Sequence, residues 1–331
     1  MKIRFPAYYE QFRCIAGACP DSCCKEWTVD VDEDAARYYR SLPGTLGDRL
    51  RQVLTEEDGS TVIQIENGRC PMWREDGLCR IQAELGHDAL CQTCRDYPRL
   101  THDYAAFLEK DLELSCPEAA KLILTGDDTM ICRSQRGEEA ADYDQALLDK
   151  LISSREQVLH FLCTGAYPLP QSLAIVLCHA HTLQAWIDGS GSALPEPQDC
   201  LRDAKLFAGT PDWESLFSLF RELEILTPQW KKRLENGFVG SQWSHVHLRL
   251  FTYFLRRYWL QAVSDGDLVC RVSFAVAGCL MVYAMGGDPI ETAQLFSKEI
   301  ENDPDNVEAL LDACYTHRGM TDANLLGMLL K

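Results

Sequence analysis

The chain has few apolar segments of the kind that export and membrane anchoring require. Its opening residues, MKIRFPAYYE, contain no apolar core of signal-peptide length. The longest stretch without Asp, Glu, Lys or Arg, residues 157–187, contains prolines, histidines and other polar residues, so it is not a continuous apolar span. We therefore expect a cytoplasmic protein that is neither exported nor inserted into a membrane.

The chain is also poor in positive charge. It has 32 Lys and Arg against 50 Asp and Glu, so its formal net charge is −18. A nucleic-acid binder needs a cationic face that replaces the counterions on phosphates, so we expect no nucleic-acid partner. A cationic partner suits this charge better.

Cysteine, in contrast, is abundant and concentrated at one end. Nine of the 16 cysteines lie in the first 116 residues, and two of them are adjacent in the run Cys14-x4-Cys19-x3-Cys23-Cys24. Thiols stay free in a reducing cytosol, which favours metal binding over disulfides. The predicted metal ligands are Cys14, Cys19, Cys23, Cys24, Cys70, Cys79, Cys91, Cys94 and Cys116.

Spacing alone does not identify the metal, because zinc and iron–sulfur centres both accept four thiolates. Gly77 permits a chain reversal that brings Cys79 towards Cys70, and Cys91 and Cys94 lie on one side of a helical turn. Nine candidates exceed four ligands, so several must be bystanders. Glu26 stands where a radical-type Cys-x3-Cys-x2-Cys loop has its third cysteine, which argues against that mechanism.

Two parts of the chain differ in pattern. Residues 1–130 are turn-rich, with one short strand expected at residues 61–65, and residues 140–331 show apolar side chains at helical spacing between Pro, Gly and Asp breaks. A flexible surface tip is expected at residues 189–192. We predict a mainly α protein, in which a cysteine-rich, metal-stapled N-terminal region (1–130) precedes an all-α helical bundle (140–331). The seven later cysteines are expected mostly to pack in the helical core.

The cysteine motifs resemble those of the flagellin lysine N-methylase family, and also those of small zinc- or iron-chelating domains. The likeness spans roughly residues 5–125. The matching text is Phe12-Arg-Cys14, Gly17-Ala-Cys19-Pro-Asp-Ser-Cys23-Cys24, Trp27, Asp30, Cys70-Pro, Gly77-Leu-Cys79-Arg-Ile-Gln, Leu85-Gly86, Leu90-Cys91, Cys94-Arg-Asp-Tyr-Pro98-Arg99 and Leu114-Ser-Cys116-Pro-Glu118.

The resemblance implies methyl transfer from S-adenosylmethionine to flagellin lysines by a protein with a [4Fe-4S] cluster, zinc being the alternative metal. Arg95, Tyr97 and Arg99 follow Cys94 and are expected either to bind a cofactor or to form a scaffold that orients the ligands. No Gly-rich strand-to-helix turn places the methyl donor. The amine must lose its proton before it reacts, and the candidate bases are Tyr8, Tyr9, Asp30, Asp32 and Tyr97.

A second hypothesis needs no catalysis. The cysteines would form a zinc or iron–sulfur module fused to a helical protein-interaction domain, with the acidic surface and a tetratricopeptide-like hairpin at residues 293–309 serving partner docking. A closed four-thiolate zinc site would favour this hypothesis, whereas an open ligand position and donor binding would favour the enzyme.

Overall fold

A computed structural model describes residues 2–25, 27–57, 59–134, 143–190 and 194–331. Of the expected surface tip, residues 191 and 192 lie outside this part of the chain. Strands and short helices alternate up to residue 134, and every regular element after residue 143 in the described part is a helix. The prediction of a mainly α protein is confirmed.

Short strands are the main feature that the sequence reading missed. β4 confirms the strand expected near residues 61–65, where Thr61, Val62 and Ile63 are β-branched. The other strands are two to six residues long, and most pair with partners distant in the sequence, so local pattern does not reveal them. The strands are β1 (Lys2–Pro6), β2 (Val29–Asp30), β3 (Leu54–Glu57), β4 (Ser60–Ile63), β5 (Arg99–Asp103), β6 (Phe107–Leu112) and β7 (Met130–Ser134).

The strands form two sheets. The larger has the order β5-β6-β1-β7, in which β1 runs parallel to β6, with Lys2 opposite Phe107, and antiparallel to β7. β5 and β6 form an antiparallel hairpin. The smaller sheet has the order β2-β4-β3 and is antiparallel throughout.

Five α-helices lie among these strands. Asp32 begins the first of them, because its carboxylate accepts a hydrogen bond of 3.0 Å from the backbone N–H of Ala35. Tyr39 and Leu50 from the first two helices are fully buried in a core that also contains Cys70 and Cys91. The N-terminal region therefore has apolar packing of its own, and stapling by a metal stays a prediction. The helices are α1 (Glu33–Ser41), α2 (Gly44–Val53), α3 (Arg80–Leu85), α4 (Gln92–Asp96) and α5 (Pro117–Thr125).

The second half is a packed array of helices whose starts the sequence marks clearly. Asp144, Asp212, Asp267 and Asp288 each cap a helix by accepting backbone N–H groups of its first turn. The helices are α6 (Gln145–Thr164), α7 (Leu169–Ile187), α8 (Pro197–Phe207), α9 (Trp213–Glu222), α10 (Pro228–Asn236), α11 (His245–Tyr258), α12 (Ala262–Asp265), α13 (Leu268–Met285), α14 (Pro289–Ile300), α15 (Pro304–Thr316) and α16 (Asp322–Leu330).

α13 is the central helix of this half. By length and composition it is the one described helix apolar enough to cross a membrane, with a mean hydropathy of 1.9 over 18 residues. It is 89% buried inside the protein, where Phe274 packs edge-on against Phe254 and Phe296. Its apolar composition is accounted for by this central position.

The main hydrophobic core crosses from one half of the chain to the other. Tyr8, Phe107 and Leu112 of the N-terminal half belong to the same buried cluster as Leu148 and Phe254 of the helices. The larger sheet thus packs directly on the helical array, while the smaller sheet has a separate core. The division into domains at residues 130–140 stays a prediction.

Candidate cysteine-lined active site

The nine predicted cysteines gather at one place in the fold. Seven of them line a cavity of about 390 Å³. The other two, Cys70 and Cys91, are buried beside it, and their thiols contact those of Cys24 and Cys94. The seven lining cysteines are Cys14, Cys19, Cys23, Cys24, Cys79, Cys94 and Cys116.

Local turns bring the cysteine segments together. Gly77 has a φ of +80°, a conformation that favours glycine, and the backbone N–H of Arg74 donates to the Leu78 carbonyl at 2.9 Å. This reversal pairs Trp73 with Cys79 and brings Cys79 near Cys70, as the position of Gly77 predicted. Elsewhere, the backbone N–H of Cys70 donates to the carbonyl of Cys24 at 2.7 Å and ties two cysteine segments together.

Hydrogen bonds between neighbouring thiols shift the pKa values of the two partners in different directions. The bond from Cys24 lowers the pKa of Cys70, and the bond from Cys94 lowers the pKa of Cys91. A hydrogen bond from Cys23 lowers the pKa of Cys24. The hydrogen bond with Cys70 and burial outweigh it and raise the pKa of Cys24 to about 12. Each contact therefore makes one thiol of the pair more acidic than the other, and the thiolate is the form that ligates metals.

Thiolate sulfur is the donor type of zinc and iron–sulfur centres, so the residues fit such a group by their chemistry. Among the described residues, no three or more His, Cys, Asp or Glu side chains are arranged to hold one metal ion. The structure thus collects the candidate ligands around one cavity without selecting four of them.

Positive charge lines the same cavity, in contrast to the chain as a whole. Arg13, Arg95, Arg99 and Lys298 lie in its wall, and Asp21 is the one carboxylate among the described lining residues. Such a wall favours anionic groups, whether thiolates or the carboxylate of a ligand.

Lys298 is a site residue that the sequence reading missed. It comes from α14, its side chain is only 4% exposed, and its Nζ lies 2.8 Å from Oδ2 of Asp21. The ammonium is also 5.9 Å from the ring of Trp27, which contacts the ring of Tyr97 at 5.6 Å. Because 277 residues separate Lys298 from Asp21, no local signal in the sequence points to this contact.

Part of this chain is similar in sequence to known proteins of Salmonella. The chain is 35% identical over 132 residues to two proteins named Lysine-N-methylase, from Salmonella typhimurium (strain LT2) and Salmonella choleraesuis (strain SC-B67). It is 34% identical over 132 residues to the Flagellar biosynthetic protein FliU of Salmonella muenchen, of which the match covers 78%. The chain belongs to the flagellin lysine N-methylase family.

The resemblance inferred from the cysteine motifs is therefore confirmed. Each of the three matches covers 38% of this chain. The matches to the two Lysine-N-methylases cover 33% of each of those proteins. The match thus spans about a third of the length of these two relatives. No protein-family model matches the chain. No solved structure matches it.

Tyr97 is the one predicted base candidate that this member of the methylase family places at the cysteine cavity. Its hydroxyl lies 3.1 Å from Oγ of Ser115, and burial raises its pKa well above the usual value. Arg95 and Arg99, which were predicted to bind a cofactor together with Tyr97, line the same cavity.

The other four base candidates lie elsewhere. Tyr8 is buried in the main core and donates a hydrogen bond of 2.6 Å to Asp111. Tyr9 packs half-buried against that core. Asp30 and Asp32 line a separate open groove of about 970 Å³, and Asp32 also accepts the backbone N–H of Gln92. These four side chains do not line the cysteine cavity.

The later cysteines are placed in two ways. Cys200, Cys270 and Cys279 are buried, as predicted for helical core positions. Cys132 on β7 and Cys163 on α6 are exposed, and the prediction of core packing is wrong for these two. β7 is exposed along most of its length, and Cys163 lies on the solvent-facing side of α6, which cysteine content alone does not reveal.

Proposed function

We propose that the protein is a lysine N-methyltransferase that transfers the methyl group of S-adenosylmethionine to flagellin or another protein substrate. Membership in the flagellin lysine N-methylase family supports this reaction. The observation that carries the proposal is the meeting of seven family-motif cysteines, three arginines and four aromatic side chains around one cavity. A single pocket with convergent polar groups is the expected form of an active site.

The proposed resident group is a [4Fe-4S] cluster, with zinc as the alternative. The nine clustered cysteines include its ligands, and the lowered pKa of Cys70 and of Cys91 makes these two thiols easier to deprotonate for binding it. When bound, such a cluster would either supply an iron position that holds the donor's amine and carboxylate or fix the surrounding loops.

The cavity wall is suited to hold the methyl donor. Arg95 and Arg99 offer charge-assisted hydrogen bonds to its carboxylate. The faces of Trp27 and Tyr97 offer a cation–π surface to its positively charged sulfonium.

Methyl transfer itself is a displacement at carbon. The nitrogen lone pair of a neutral lysine forms the new C–N bond while the S–CH₃ bond breaks, and its electron pair stays on sulfur, which leaves a neutral thioether. The methylated nitrogen is positively charged until it loses a proton. A substrate lysine that loses its hydration as it enters the cavity has a lowered pKa, which helps it to react as the free amine.

The charge of the rest of the protein suits a lysine-bearing partner. The net charge is −18, and a separate groove carries Asp30, Asp32, Glu33 and Asp96. An acidic exterior attracts a cationic protein surface over a distance, whereas the basic cavity acts only on the side chain that enters it.

The test is anaerobic purification, followed by iron, sulfide and zinc analysis of one sample and a titration of S-adenosylmethionine. Incubation with purified flagellin and mass spectrometry of lysine peptides would complete it. Four irons with matching sulfide, saturable donor binding and a lysine mass gain of one or more methyl groups are expected. One zinc per chain with no donor binding would overturn the proposal and support the non-catalytic interaction module.

A further inference from the structure

One face of α14 touches the two cysteine segments that flank the cavity. Lys298 contacts Asp21, with Nζ 2.8 Å from Oδ2. Gln294, four residues earlier and therefore on the same side of the helix, donates from Nε2 to the backbone carbonyl of Ser115 at 2.6 Å. The helical half thus contributes directly to the wall of the cysteine cavity.

Asp21 is connected to the cysteine segment by successive hydrogen bonds along the chain. Oδ1 of Asp21 accepts the backbone N–H of Ser22 at 2.8 Å, and Oγ of Ser22 accepts the backbone N–H of Cys24 at 3.1 Å. The carbonyl of Cys24 in turn accepts the N–H of Cys70 at 2.7 Å. The position of Lys298 therefore bears on the backbone of Cys24 and, through it, on Cys70.

The contact at Ser115 acts on the opposite wall. Ser115 is buried, precedes Cys116 and places its Oγ 3.1 Å from the hydroxyl of Tyr97. The hydrogen bond from the Gln294 side chain to the Ser115 carbonyl restrains the backbone just before α5 begins. Gln294 is therefore connected to Cys116 and Tyr97 in the way that Lys298 is connected to Cys24.

We propose that Gln294 and Lys298 are positioning residues that hold the two cysteine segments at the spacing the site requires. Lys298 is 4% exposed, and a buried ammonium is costly unless it is paired, so loss of the contact with Asp21 is expected to disturb this wall of the cavity. The helical half is then a structural part of the active site. The consequence for methyl transfer rests on the proposed function, whereas the effect on the thiols does not.

The test measures how fast each cysteine is alkylated by iodoacetamide in the full-length, metal-free protein, with peptide mass spectrometry as the readout. Lys298→Met should raise the rates at Cys23 and Cys24 on the order of tenfold, the factor expected when a charge-assisted hydrogen bond is lost. Gln294→Leu should raise the alkylation rate at Cys116. Lys298→Arg, which keeps a cation able to reach Asp21, should restore the lower rates. Glu291→Gln, an exposed change on the same helix, is the matched control.

Unchanged alkylation rates in Lys298→Met and Gln294→Leu would overturn the proposal. If Lys298→Met fails to fold, as judged by its thermal transition, Asp21→Asn removes the same ion pair from its more exposed side and must give the same rise. Iron retained after anaerobic reconstitution is the second readout, and it should fall in Lys298→Met and recover in Lys298→Arg. If the variants change the alkylation rates but the protein transfers no methyl group, the positioning role of Gln294 and Lys298 stands and only the proposed function is rejected.

Discussion

Arg155 donates two hydrogen bonds, each of 2.6 Å, to the two carboxylate oxygens of Glu109. Arg155 lies on α6 and Glu109 on β6, and both side chains are buried. The pair therefore joins the helical array to the larger sheet across the predicted domain division. Arg155 also donates to the carbonyl of Arg256 at 3.0 Å, so the guanidinium connects three elements.

Breaking this pair from one side should be strongly destabilising. Glu109→Leu leaves the Arg155 guanidinium buried without its counter-charge, which typically costs about 3–5 kcal/mol of unfolding free energy. Urea unfolding followed by circular dichroism measures this loss. The double variant with Glu109→Leu and Arg155→Met buries no charge and should lose much less. An equal loss in the single and double variants would contradict this account.

Two cysteine substitutions should separate the cavity from the helical core. Cys23→Ser removes a thiol that lines the cavity and should lower the metal content of anaerobically purified protein. Cys279→Ser, in the buried centre of α13, should leave the metal content unchanged. Metal analysis of both variants beside the parent protein is the measurement. Equal metal loss in both would remove the distinction between ligand and packing cysteines.

Donor binding should depend on the arginines of the cavity. Arg99→Met removes a cation that lies in the wall and stacks 5.1 Å from the ring of Phe12. We expect the Kd for S-adenosylmethionine to rise about tenfold, the loss typical of a hydrogen bond to a charged group. Isothermal titration measures the Kd. Arg37→Met, in the separate open groove, is the control, and a Kd that rises equally in both variants would exclude a specific role for Arg99.

The helical half should lose stability in acid because of one histidine. Burial lowers the pKa of His247 to about 4 from an ordinary value of 6.5, so between these pH values the unfolded chain binds a proton that the folded chain does not. The free energy of unfolding therefore falls as the pH decreases from 6.5 to 4, by on the order of 2 kcal/mol.

Urea unfolding at pH 7 and pH 4.5 tests this dependence. His247→Asn cannot titrate in this range but keeps an acceptor for the backbone N–H of Ser244, which now donates to Nδ1 at 3.2 Å. The variant should show a smaller loss of stability between the two pH values than the parent protein. The same loss in both proteins would assign the acid sensitivity to other groups.

The candidate site was predictable from the sequence to the extent that its residues lie close together in the chain. The cysteines, Arg95, Tyr97 and Arg99 carry their own chemistry and short spacings, and the structure brings them to one cavity. Asp30 and Asp32 were predicted as candidate bases because they are carboxylates in the same region, yet the fold turns them towards another groove. Proximity along the chain did not determine which wall a side chain faces.

The sequence by itself determined the family, the cysteine set and the helical second half, because thiol spacing, caps and apolar periodicity are local properties of the chain. Tertiary structure alone decided the strand pairing, such as β1 beside β6, and the arrival of Lys298 beside Asp21. These contacts join residues that are about 100 to 277 positions apart. They form only when the packing of one shared core places distant surfaces together, and no short-range pattern encodes that placement.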